Sequence, residues 1–160
     1  MWLIESILIF LFIFIFYQDY KERLVYWFLY PAIGILVFTL QLQQNGVVMS
    51  LINTLFNLFF VLIILTVCYL YATYKLKRSM LKEVLGIGDV LFFIFICGSF
   101  STLSFLVLFV FALLFALLLH LALKSYYTDP TVPLAGYMAL FFAGIYGVTF
   151  FVPHNLLYSY

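Results

Sequence analysis

Charge is what this sequence has least of. Seven Lys/Arg and six Asp/Glu make up 8% of its 160 residues, against roughly 25% in an ordinary soluble domain. With a net charge of +1 and no basic run longer than Lys75-Leu76-Lys77-Arg78, an electrostatic nucleic-acid footprint is excluded. Cysteine is nearly missing too. Cys68 and Cys97 both fall inside apolar runs, which leaves no basis for a disulfide framework or a thiolate zinc site. No other spacing of His, Asp or Glu makes a metal-ligand set, and nothing in the chain points to a cofactor. The amino terminus lacks a basic region and a small-residue cleavage pattern, so Trp2 to Tyr17 reads as a retained apolar span. Soluble domains and internal repeats are not evident.

What remains is apolar: 68% of the chain is hydrophobic and 22% aromatic. A hydrocarbon core about 30 Å thick needs about 20 apolar residues per helix, which leaves room for about six spans and almost no extramembrane domain. The expectation is an all-α, polytopic membrane protein folded as one membrane-embedded domain over residues 1–160. The apolar runs are Trp2 to Tyr17, Leu24 to Leu40, Val47 to Ala72, Asp89 to Phe100, Leu103 to Leu123 and Pro133 to Val152. Gln41 to Gly46 reads as a polar turn, and Thr128 to Pro133 as a proline-marked break.

Orientation follows from where cations lie, because Lys and Arg stay on the cytoplasmic side of short loops. Lys21 and Arg23 fall between the first two runs, Lys75, Lys77, Arg78 and Lys82 between the third and fourth, and Lys124 between the last two. All seven share one face if six spans are threaded, with the amino terminus outside. Tyr17, Tyr20, Tyr69, Tyr71, Tyr74, Tyr126 and Tyr127 gather towards the same face, with Trp2, Tyr158 and Tyr160 at the other, as an aromatic belt would. Ala139, Ala143 and Gly147 on the last run, and Ala112 and Ala116 on the fifth, are spaced four apart, which suits close helix packing.

Two carboxylates stand out against this background. Asp19 and Asp89, 70 positions apart, both lie at the cytoplasmic edge of an apolar run, and a carboxylate held there is costly. Asp89 to Phe100 is only 12 residues, about 18 Å of helix, too short to cross a bilayer. A span beginning near Leu81 reaches about 30 Å and sets Asp89 about 12 Å below the boundary. Gly86 and Gly88, in the run Gly86-Ile87-Gly88-Asp89, suit irregular backbone beside a wet cavity and remove bulk, so that an extended substrate backbone can reach the carboxylate. Two carboxylates in one cavity can share a proton, leaving one acid and one base. Such a pair can activate water while its protonated member polarises a peptide carbonyl.

At these residues the chain resembles the type IV prepilin peptidases, intramembrane aspartyl proteases that carry a Gly-x-Gly-Asp motif. The six-span layout is similar, as are Asp19-Tyr20-Lys21-Glu22-Arg23-Leu24-Val25 after the first span and Gly86-Ile87-Gly88-Asp89-Val90 at the fourth. Tyr26 stands where the family has proline, and Leu91 where it commonly has lysine. The resemblance implies a catalytic pair of Asp19 and Asp89, with Gly86 and Gly88 as motif residues. It implies removal of a short leader from pilin-like precursors, after a glycine and before the substrate's apolar helix, at the cytoplasmic face of a prokaryotic inner membrane. Larger members carry Cys-x-x-Cys motifs and methylate the new amino terminus. With neither motif here, peptidase activity alone is expected.

The remaining polar residues read as structural. Glu22 and Glu83 suit solvated loops, Asp129 a turn before Pro130, and His120 and His154 packed or interfacial positions. Glu5, about one turn into the first helix, is expected to snorkel outward or pair with the amino terminus. A reading from another class is a small proton- or ion-coupled transporter or channel subunit whose carboxylates relay cations. A third is a non-catalytic assembly scaffold.

Overall fold

The computed structural model describes residues 1–76, 85–123, 132–151 and 155–158. Lys77, Arg78, Lys82, Glu83, Lys124, Tyr126, Tyr127, Asp129, His154 and Tyr160 lie outside the described residues, so the cation pattern is seen only in part. The fold is all-helical, with α1 (Trp2–Glu22), α2 (Leu29–Leu70), α3 (Ile87–Ile96), α4 (Thr102–Leu123), α5 (Leu134–Val148) and α6 (Asn155–Tyr158). A π-helical turn, Tyr71–Leu76, extends α2. Three helices, α1, α2 and α4, are long and apolar enough to cross a membrane, while α3 and α5 are shorter apolar helices. Phe10, Leu62, Phe111 and Leu118 face outward along the long helices, as suits contact with lipid tails rather than water.

The sequence sets most of these boundaries locally. α1 runs on past the expected Tyr17 to Glu22, with Lys21 in its last turn facing the negative end of the helix dipole. It stops at Arg23, whose backbone turns left-handed (φ 56°, ψ 18°). α2 begins at Leu29, five residues later than the apolar run, because Pro31 fits the first turn of a helix, where its missing N–H is not needed. The connection is tied back to α1 by the Tyr26 N–H, which donates to Gln18 Oε1 at 3.3 Å.

Helix α2 is continuous in chain but not in direction. Gly46 breaks it with φ 71°, ψ 174°, a backbone state that glycine alone adopts at little cost. Thr54 Oγ1 donates to Gln41 Oε1 at 3.2 Å. In a straight helix those residues would stand about 20 Å apart, so the two arms fold back sharply at Gly46. The expected polar turn is therefore a reversal at one residue, with Gln41 to Asn45 remaining helical.

α3 differs from expectation. It starts at Ile87, with Gly86 as its extended N-cap residue, and ends at Ile96. Ten residues reach about 15 Å, so α3 is shorter than the span drawn from Leu81. It ends inside the protein, where Cys97, Ser99, Phe100 and Ser101 are all buried. A buried turn needs partners for its backbone. Asn57 Nδ2 donates to the carbonyls of Cys97 (2.9 Å) and Phe100 (3.1 Å), and Gln41 Nε2 donates to the carbonyl of Phe100 at 2.8 Å. One residue from each arm of α2 thus seals the far end of α3.

The core is aromatic. α1 packs chiefly along α5, with Phe12 stacked on Phe142 and Tyr146, and Phe100 stacked on the same two rings. Phe93 of α3 meets Phe109 of α4 edge-on at 5.1 Å. Ala112, Ala116, Ala139 and Ala143 are buried as their spacing suggests, but Gly147 is not a close-packing position: a Cβ there would meet nothing within 4 Å.

Candidate active site

α5 starts with a deficit. Its N-cap is Pro133, which has no side-chain acceptor to offer, and although the Leu134 N–H donates to the Val132 carbonyl at 2.9 Å, the next two amides need partners from outside the helix. Two other helices supply what is missing. Asp89 Oδ1, from the first turn of α3, accepts the Ala135 N–H at 2.8 Å, and Asp19 Oδ2, from the last turn of α1, accepts the Gly136 N–H at 2.7 Å. Consecutive residues lie within ~4 Å of each other, so those two bonds hold the carboxylate oxygens within roughly 9 Å. The positive end of the α5 dipole favours negative charge there. Asp19 and Asp89 are therefore brought together, half-buried, at one helix start.

Asp89 has a second engagement. Its Oδ2 accepts the Gly86 N–H at 3.0 Å, closing the start of its own helix as well as fastening α3 to α5. The motif glycines serve purposes that the sequence does not reveal. Gly86 lies so near this carboxylate that a Cβ would sit 3.2 Å from Oδ2. Gly88 is an ordinary helical residue, and a Cβ there would fall 2.6 Å from the Tyr30 hydroxyl. The Cβ position at Gly88 is thus taken by a tyrosine hydroxyl, while Gly88 itself lines the cavity onto which the carboxylates open.

A third glycine, Gly136, matters more than the expected small-residue stripe. A Cβ on it would stand 2.9 Å from both Cβ and Oδ2 of Asp19, closer than real side chains pack. Its bareness lets α1 bring Asp19 onto the helix start. The nearest signal in sequence is its place in Pro133-Leu134-Ala135-Gly136, three residues after a helix-starting proline.

Both carboxylates open onto a cavity of about 760 Å³, in the size range of ligand pockets. Arg23, Tyr30 and His120 share its wall, and Leu91, Leu117 and Leu134 contribute to an otherwise largely apolar lining. Arg23 is close enough to act on Asp19 electrostatically. His120, read from sequence as a packed or interfacial residue, belongs to this wall, and its buried Nδ1 makes no hydrogen bond to the described residues. Glu5 does not snorkel outward: it is 2% exposed and faces inward, within electrostatic reach of Tyr146 and Tyr158. Its position on the inner side of α1, in line with Leu8 and Phe12, prevents outward snorkelling. Glu22 is exposed, as expected. Among the described residues no group of three His, Cys, Asp or Glu converges as a metal site.

No protein-family profile matches the chain, no curated protein is detectably similar to it in sequence, and no solved structure matches its fold.

Proposed function

We propose that the chain is an intramembrane aspartic endopeptidase in which Asp19 and Asp89 are the catalytic pair. The observation that carries this reading is the pair of carboxylates bound to consecutive amides at the wall of one apolar cavity. Close carboxylates favour a state with one proton between them. The ionised member takes a proton from water, the protonated member polarises the scissile carbonyl, and the leaving nitrogen is protonated as the C–N bond breaks. An apolar wall that includes Leu91 suits the start of an apolar substrate helix.

The resemblance of the two aspartate segments to type IV prepilin peptidases directs the substrate proposal to pilin-like precursors. The six-span threading, with the amino terminus outside and the site towards the cytoplasm of a prokaryotic inner membrane, rests on the cation pattern of the sequence. The two arms of α2, folded back at Gly46, support it by making two passes from one helix.

A capping role alone would also place two carboxylates at the start of α5, and asparagine separates the two. Asp19→Asn and Asp89→Asn each keep one acceptor oxygen for an α5 amide but cannot act as base or acid, and Asp89→Asn gives up one of its two bonds, the one to the Gly86 N–H. The expected result is a stably folded protein that no longer cleaves a pilin-like precursor, read by the mass of the new amino terminus. Full processing by both variants refutes the catalytic pair. Cation flux through the protein in liposomes, abolished by Asp89→Asn, would assign the site to transport instead.

A further inference from the structure

Tyr30 is the second residue of α2 and 2% exposed, yet it lines the cavity beside both aspartates. Its hydroxyl lies where a side chain on Gly88 would have to go, 2.6 Å from the position of that Cβ. Gly88 sits one residue before Asp89 in a regular helical turn, with no left-handed backbone, so the conformational freedom of glycine is not what the position uses. Glycine is a poor helix former. What it provides there is an empty site, and the Tyr30 hydroxyl fills it. Both Asp19 and Asp89 act on that hydroxyl electrostatically. The ring could pack as phenylalanine would. Only the O–H requires the vacancy.

We infer that Tyr30 is a third polar group of the reacting centre, a hydrogen-bond donor to the carbonyl oxygen of the scissile peptide. This rests on the peptidase reading above. When water attacks, a C–O bond forms and the carbonyl π pair moves onto its oxygen, where negative charge develops. One carboxylate takes the water proton, and the protonated carboxyl and the Tyr30 hydroxyl both donate towards that oxygen. Collapse breaks the C–N bond, the leaving nitrogen takes a proton, and a carboxylic acid and an amine result. Tyr30 keeps its proton throughout. A donor that strengthens as charge develops accelerates the chemical step more than it tightens substrate binding.

The test is a double-mutant cycle on the full chain in lipid, with a synthetic pilin-like precursor as substrate. Tyr30→Phe keeps the ring and should lower kcat about 10- to 100-fold, somewhat less than loss of a fixed oxyanion donor in a water-excluded site, with KM little changed. Gly88→Ala should lower kcat by crowding the hydroxyl. In the Tyr30→Phe background the same change should cost much less, because the atom it strikes has gone. A Tyr30→Phe protein with the parent kcat, or losses that simply multiply, overturns the assignment. Should Tyr30→Phe be fully active while Asp19→Asn and Asp89→Asn are inactive, the aspartate pair stands and Tyr30 is only packing. Should the aspartate variants themselves be active, the peptidase reading falls first.

Discussion

The two ends of α3 solve one problem with different chemistry. At the far end buried carbonyls take partners from elements distant in sequence, while at the near end Asp89 serves its own helix and the start of a distant one. At the far end Gln41 and Asn57, both fully buried, donate to the carbonyls of Cys97 and Phe100. These partners are neutral amides, enclosed and chemically inert. At the near end Asp89 closes the helix and, with Asp19, caps α5. These partners are half-buried carboxylates facing a cavity. Asp89 uses both carboxylate oxygens as acceptors, for the Ala135 and Gly86 amides, where asparagine would offer only one. Part of the difference is polarity: carbonyls at the far end require donors, and amides at the near end require acceptors, but only the near-end partners are ionisable and face a cavity.

The largest effect expected from breaking this contrast is on activity. Asp19→Asn or Asp89→Asn puts a neutral amide at the near end and should reduce cleavage by about 10²- to 10⁴-fold, with the unfolding midpoint close to the parent's for Asp19→Asn and somewhat lower for Asp89→Asn, which loses one of its two backbone bonds. Next is Gly136→Ala, which pushes Asp19 off the helix start without removing it. A displacement of this kind should slow cleavage on the order of 100-fold, measured as kcat with the protein still folded. The far end should respond in stability instead: Asn57→Leu leaves buried carbonyls short of a donor and should cost about 1–3 kcal/mol, read by denaturant unfolding in detergent, with activity per folded molecule retained. The smallest change is Gly147→Ala, where nothing crowds the new methyl. Better helix propensity should make it neutral or stabilising by up to about 1 kcal/mol, in the same unfolding measurement.

Hydropathy made the helices legible because each apolar run has to find a helix in lipid. Leu103 to Leu123 differs from α4 by one residue at its start. The reversal at Gly46 was legible as a polar, glycine-ended interruption. Asp19 and Asp89 could be picked out because charge is rare enough here for two carboxylates to need an explanation. What they bind could not be read, since it depends on which faces of α1, α3 and α5 meet. The same holds for Tyr30, one aromatic residue among many, and for Gly136, whose need appears only when Asp19 lies against it. Glu5 misled for a related reason: its distance from the chain end says nothing about which side of α1 turns inward.

The missing cap of α5 has a consequence for how the molecule is built. Pro133 cannot complete the helix it begins, so α5 gains a finished start only when α1 and α3 have both arrived with their aspartates. The contacts that close the fold are the same contacts that gather the carboxylates. A partly assembled chain, lacking either helix, would have its acidic groups apart and α5 unfinished together. On the proposed reading, proteolytic capacity and a finished α5 start then depend on the same two contacts and are lost together.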